Sequence, residues 1–490
     1  MRSGPGVGSS PPTEVSFARR VTVVAGLVGA LLTGAAVDRL PGPFEADGGA
    51  VRLPPGMPVA APPAALSSTW YCAGGTATVG GMADAHVTIA NPSSRPVQGT
   101  LRVHPSDGEA RTVPIAVGAH DRANFRIGDV VAAPYAAATV ELDGGGVVVE
   151  HIVHGPNGFS ASPCASTPSE KWYLANGSTG RDDELLIFLF NPFPEDAIAS
   201  VAFDTEEGRR VPQDLQGVIV RSGRLLVVKP ADHFRYASVA TAVTTRRGRL
   251  VVDRLQRRGG TRPGLSLALA APSAGPVWYF PEGSTAPGTD QSIHIYNPGE
   301  READVDVELT LEADSAEPFT LKVPAGQHTT LALGAEDRVP KGPGFSVTVR
   351  SMNDVPVVAE RTIAAATPAA RNGVTHTFGS RVLAREWVLA VGGATAALAE
   401  SVVVQNAGDA DATVDVVGLQ DGREVAFPGL QGQHVPAGGR AVLPLADHVL
   451  APGLSLVVRA SAPIVVERTL HLVTGVGLSA TVGIPLWPAG

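Results

Sequence analysis

Four acid-led dipeptides, Glu150-His151, Asp253-Arg254, Glu360-Arg361 and Glu467-Arg468, each close a Val-rich run, and they are the residues with most scope for chemistry. A charge at the end of an apolar strand needs a partner if it is buried. The expected role is an internal salt bridge or backbone clamp that sets strand register between units. A second reading joins each acid to a recurrent aspartate, Asp129, Asp232, Asp337 or Asp447, as two oxygen ligands for calcium, since hard cations prefer carboxylates. His151 and His154 lie three apart, which on a strand places them on opposite faces and argues against shared metal ligation. No G-x-S-x-G, H-E-x-x-H or phosphate-binding glycine motif occurs, and no nucleophile with a partnered base repeats along the chain. Catalysis, a metal centre and a cofactor are therefore not expected.

These pairs sit inside an internal repeat. Segments open at Trp70 (WYCAGGT), Trp172 (WYLANGST), Trp278 (WYFPEGST) and Trp387 (WVLAVGGAT), spaced 102, 106 and 109 residues apart. An apolar run then ends at Asn91, Asn191, Asn297 or Asn406, which lie 21, 19, 19 and 19 residues past their tryptophans. The aspartates Asp129, Asp232, Asp337 and Asp447 follow at 59, 60, 59 and 60 residues from the same origin. Such register marks four copies of one unit.

Within a unit the apolar period is two, as at Val305, Val307, Leu309 and Leu311, which alternate with Asp304, Asp306, Glu308 and Thr310. Seven or eight short runs per unit, separated by Gly, Pro, Asn or Asp turns, are the pattern of an antiparallel sandwich. The expectation is all-β: four tandem Ig-like sandwich domains over residues 67–168, 169–274, 275–384 and 385–490.

The W-Y-x-x-E-G-S-T opening, the run ending in Asn-Pro and the closing P-[IV]-V-x-E-R resemble an uncharacterised repeat family of exported proteins from high-GC Gram-positive bacteria, a domain of unknown function. The resemblance covers residues 70 to 488 and is fullest in the third copy; the fourth lacks the Tyr and the Asn-Pro. It implies an envelope location and carries no activity.

Each opening Trp is read as a core plug in preference to a sugar-stacking platform, because its place at the first strand is constant. The Asn-Pro pairs are read as turn initiators. Arginines 246, 247, 249, 254, 257, 258 and 262 crowd one stretch, and acids crowd residues 300–317. Solvated surface is the first reading; attraction between units or to an anionic wall polymer or lipid headgroup is the second.

Compartment follows from the N-terminus. Residues 21–37 hold no charge and follow Arg19-Arg20, so they read as a transmembrane signal-anchor helix of about 25 Å. The net positive leading tail, residues 1–20, is expected in the cytoplasm, with 38–490 extracytoplasmic and a single pass through the cell membrane. A cleaved signal peptide with secretion is the alternative. Residues 38–66 carry seven prolines and read as a semi-rigid stalk. Cys72 and Cys164, the two cysteines of the chain, bracket the first unit and are expected to form a disulfide in an oxidising compartment. A net charge of −9 argues against nucleic acid as a partner. Function is thus expected to be that of a non-catalytic structural or interaction protein of the cell envelope, or an accessory module binding envelope glycan or envelope-assembly enzymes. The expected partners are the membrane and a cell-wall polymer or envelope protein.

Overall fold

The first repeat shows how the pattern folds. In the computed structural model, β1 (Ser68–Cys72), β2 (Asp84–Asn91), β3 (Val97–Pro105), β4 (Arg111–Val117), β5 (Asp121–Arg126), β6 (Ala136–Leu142), β7 (Val148–Gly155) and β8 (Gly158–Pro163) form two four-stranded antiparallel sheets, in orders β1-β6-β3-β4 and β5-β2-β7-β8. Alternation decides the faces. In the sheet β1-β6-β3-β4, Trp70, Leu101, Val103 and Val140 are buried, while Arg102 and Glu141 point outward. The strands of the second sheet are longer apolar runs, because both of its faces are covered. Thus Val251–Arg258 and Val358–Ala365, the counterparts of β7, carry buried residues almost throughout.

The same two-sheet plan recurs in the second and third repeats. In the fourth, one 18-residue strand, Ser455–Leu472, supplies both the β6 and β7 equivalents and joins the two sheets into one nine-stranded sheet. The described residues are all-β, and none of the sheets among them closes on itself.

The structure describes residues 57–78, 80–311, 316–342 and 344–486. The expected cytoplasmic tail, the membrane segment 21–37 and the stalk as far as residue 56 lie outside them. Among the described residues no helix is long and apolar enough to cross a membrane. The stalk expectation needs correction at its end. Residues 57–65 belong to the folded unit: Ala60 is fully buried and donates its N–H to Pro485 O at 3.1 Å, and Val59 N–H reaches Ser166 Oγ at 3.2 Å.

The described residues from 57 onward form one compact unit in which the repeats meet along their last strands. β8 and its counterparts Gly264–Leu269, Gly373–Phe378 and Leu478–Val482 pack side by side. A hydroxyl in one strand accepts a backbone N–H from the next repeat: Leu269 to Ser162 Oγ (2.9 Å), His376 to Ser266 Oγ (2.9 Å), Ala480 to Thr375 Oγ1 (3.0 Å) and Ala161 to Ser479 Oγ (3.0 Å). The fourth bond returns from repeat four to repeat one. The repeats therefore close into a cycle. Small residues permit this approach: a Cβ on Gly264 would stand 2.4 Å from Val374 N, and Gly373, at φ 142°, lies against Leu478.

Candidate functional site

The four dipeptides lie on the β7-type strands, where adjacent side chains point to opposite faces. All of their acids and arginines are at most 1% exposed. Each arginine reaches into the following repeat: Arg254 pairs with Glu360, Arg361 with Glu467, and Arg468 with Glu150 at 3.1 Å. Each acid also takes a backbone N–H from the segment after the opening Trp of the preceding repeat. Ala73 donates to Asp253 Oδ2 (2.7 Å), Ala175 and Asn176 to Glu360 Oε2 (3.1 Å each), Glu282 to Glu467 Oε2 (2.9 Å), and Val391 to Glu150 Oε2 (2.6 Å). One carboxylate thus holds a guanidinium and a peptide N–H at the same junction.

The junction of repeats one and two differs because its base is a histidine. Burial pushes His151 down to about 3 and Asp253 up to about 8, so both are neutral near pH 7, and their nearest approach is 3.6 Å. That contact is not an ion pair. The shorter aspartate still keeps its backbone partner. His154 points away from His151, as its spacing requires, and stacks edge-on with His86 at 5.4 Å between ring centroids.

The recurrent aspartates do not join the acids. Asp129, Asp232, Asp337 and Asp447 are all exposed, at turns whose preceding apolar residue, Ile127, Pro230, Leu333 or Leu445, is buried. The paired-carboxylate calcium site is therefore absent, and what recurs is a turn anchored by a core residue. Trp70, Trp172, Trp278 and Trp387 are buried and cannot stack on a sugar. Trp172 and Trp278 donate their indole N–H to Leu250 O (2.9 Å) and Val357 O (2.8 Å).

Asn91, Asn191, Asn297 and Asn406 act alike and are fully buried. In Asn297 the amide nitrogen donates to Arg301 O (2.7 Å) and Val323 O (2.9 Å), and Oδ1 accepts from Gly299 N (2.9 Å). The other three repeat this geometry. The asparagine ties the turn after its own strand to a neighbouring strand, which is more than turn initiation. Cys72 and Cys164 form the expected disulfide within the first repeat.

The arginine-rich stretch pairs mostly within its own repeat, Arg257 with Glu184 and Arg258 with Asp183, and reaches the third repeat through Arg254 and through Arg262 to Asp290 (2.7 Å). None of these partners lies in residues 300–317.

Between repeats the junctions open into clefts. One, between repeats two and three, holds about 1010 Å³ and is lined mainly by polar groups. The cleft between repeats four and one, about 560 Å³, is lined by Ile152, Phe159, Leu398, Leu470 and Leu472 beside His86 and His154. A void of about 70 Å³ among the four final strands is too small for an organic ligand and has room for a few waters at most. The second-to-third cleft contains residues that sequence reading passed over: Asp204, Ser238 and His328. They occupy positions where the repeats diverge, so no recurrent motif marks them.

The family model described as a family of unknown function, DUF5719, matches residues 153–375 and again 240–475, together well over half of the chain. The chain belongs to the DUF5719 family. No curated protein matches it. Among solved structures it is similar to Thermotoga maritima 1070 (20% identity over 22% of this chain and 95% of that one, TM-score 0.20). It is also similar to the Anabaena sensory rhodopsin transducer (22% identity, 18% and 94%, TM-score 0.16). A third is a Streptomyces avermitilis α-L-rhamnosidase complexed with L-rhamnose (10% identity, 69% and 45%, TM-score 0.15). Likenesses this low bear on neither site nor activity. Membership in the family describes the repeat and leaves the chemistry to the residues themselves.

Proposed function

We propose that this DUF5719 protein is a membrane-anchored, extracytoplasmic interaction protein of the cell envelope, in which four Ig-like sandwich domains are fused into one cyclic frame that presents clefts at the domain junctions. The observation that carries the reading is the cycle of buried cross-repeat contacts, returning from Arg468 to Glu150. Buried ionic contacts add little net stability but specify which surfaces meet, and a cyclic frame holds its clefts in fixed relation. Repetition of the frame without repetition of any reactive group suits a binding or structural role. The Cys72–Cys164 disulfide supports an oxidising compartment, and the uncharged run 21–37 supplies an anchor.

A reporter active only outside the cytoplasm, fused after Gly490, is expected to be active; activity from a cytoplasm-only reporter instead would overturn the topology. The second reading, an accessory module for envelope glycan, is favoured by the wide polar cleft between repeats two and three. Purified full-length protein in detergent should then bind cell-wall polysaccharide saturably, and changing Thr330 or Asp290 in that cleft should weaken the binding.

A further inference from the structure

The cleft between repeats two and three holds a hydrogen-bonded chain of three side chains. Ser238 Oγ lies 2.9 Å from His328 Nε2, and His328 Nδ1 lies 2.5 Å from Asp204 Oδ2. The same carboxylate oxygen accepts the backbone N–H of His328 at 2.8 Å, which orients the imidazole from two points. Asp204 is 4% exposed, whereas Ser238 is partly open to the cleft. With Nδ1–H donated to the carboxylate, Nε2 is left as the acceptor for the serine proton. This is the order of roles in a nucleophile, general base and orienting acid.

Repeat geometry argues against a purely architectural contact. Ser238 shares its position with Tyr135, Gly344 and Gly453, because the residue after each donates its N–H to an equivalent glycine carbonyl, of Gly177, Gly75, Gly283 and Gly392 respectively. His328 shares its position with Arg122, Leu225 and Arg440, each paired with the residue before the clamp asparagine. The two positions face each other across other junctions too: Gly344 lies against Arg440, and Gly453 against Arg122. The frame needs only that they fit. Serine opposite histidine, with an aspartate behind, occurs at this junction alone among the described residues.

We infer that Ser238, His328 and Asp204 form an acyl-transfer site that cleaves small carboxylic esters of a neutral, hydroxyl-rich carrier. This goes beyond the interaction role proposed above and does not depend on where the protein resides. Ser238 Oγ attacks the ester carbonyl carbon while its proton passes to His328 Nε2, and the carbonyl π electrons move to oxygen. On collapse the C–O bond to the alcohol breaks, and the alcohol leaves with the proton from His328. Water then attacks the acyl-serine, again giving its proton to His328, and the carboxylic acid departs as Ser238 regains its proton. Asp204 is a positioning residue that holds the tautomer and stabilises the transient imidazolium. Asp183 and Asp290 in the cleft lining pair with Arg258 and Arg262. With Asp182, Glu206 and Glu207 the acids still outnumber the arginines, Arg181 included, so the net charge disfavours anionic esters while the polar walls suit hydroxyl groups.

The test uses full-length protein with a biotinylated alkyl fluorophosphonate and with p-nitrophenyl acetate. Wild-type protein is expected to take up one label, mapped to Ser238, and to hydrolyse the ester at least ten-fold faster than Ser238→Ala. His328→Asn should abolish labelling. Asp204→Asn should move the acid limb of the pH–rate profile to lower pH, a change that a merely structural aspartate would not produce. Absence of label at Ser238 in folded wild-type protein, or labelling elsewhere with an ester rate that Ser238→Ala leaves unchanged, overturns the proposal. The wild-type labelling decides the question even if a variant fails to fold, and a cytoplasmic location would leave it standing.

Discussion

Arg468 donates to Glu150 at 3.1 Å across 318 residues of chain, with both side chains buried. The pair joins the last repeat to the first, and it repeats the geometry by which Arg254 meets Glu360 and Arg361 meets Glu467. In a linear array Glu150 and Arg468 would stand on two uncovered end faces in contact with water. Closure takes both charges out of water and pairs them with each other.

Charge removal at these junctions should have unequal effects. Glu360→Gln strands Arg254 as a buried cation and is expected to cost about 3–5 kcal/mol. Asp253→Asn replaces a carboxyl that burial already keeps neutral near pH 7 and that faces a neutral histidine, so its cost should stay within about 2 kcal/mol. Denaturant melts of the two variants side by side check the ranking; equal losses would contradict the neutral assignment.

The asparagine clamp gives a second stability prediction. Asn297→Ala leaves the carbonyls of Arg301 and Val323 and the N–H of Gly299 without their partner. Orphaned backbone groups of this kind cost about 1–3 kcal/mol each where water cannot reach them, and partial hydration at the turn brings the expected loss to about 2–4 kcal/mol. Asn297→Asp retains the acceptor but not the donor and should recover little of it.

Disulfide removal should act through the unfolded chain. The Cys72–Cys164 bond spans a sequence separation of 92, for which chain entropy sets an upper figure of about 4.6 kcal/mol. Replacing both cysteines by serine should lower the unfolding midpoint, with hydrogen exchange rising first in the first repeat. Peptide mapping without reductant should recover the two cysteines in one linked species.

Stability is expected to peak near pH 6.5. Burial raises Asp253 to about 8 and Glu400 to about 7, so the folded chain keeps protons that the unfolded chain releases near pH 4, and stability falls as pH rises through that window. Burial lowers His104 to about 4 and His151 and His294 to about 3. These stay neutral in the fold while the unfolded chain protonates them below about 6.5, so stability falls as pH drops from 6.5 toward 3. Three histidines outweigh two acids on the acid side, and only the acids act on the alkaline side. Thermal melts from pH 4 to 9 would show the maximum; a monotonic rise to pH 9 would refute the assignment of the buried acids.

The amino-acid sequence by itself determined the strands, the four copies and the disulfide, because each is written in short-range pattern or in residue count. Alternation of apolar and polar residues sets which face of a strand is buried, as at Val305, Val307 and Leu309, and turn residues set where strands stop. The acid-base dipeptides were visible for the same reason, since a charge at the end of an apolar run is a local anomaly. Tertiary structure alone decided their partners. Glu360 and Arg254 belong to different repeats, and nothing in either neighbourhood tells which repeat packs on which, or that the fourth returns to the first. It also decided that Asp129 and its counterparts face solvent, since regular spacing records a turn whether or not the marked side chain is buried. The Ser238, His328 and Asp204 cluster was least legible of all. Its members come from two repeats, Asp204 and His328 lie 124 residues apart, and all three sit where the copies differ. Their meeting depends on how one sandwich rests against the next, a property of packed surfaces and not of any stretch of chain.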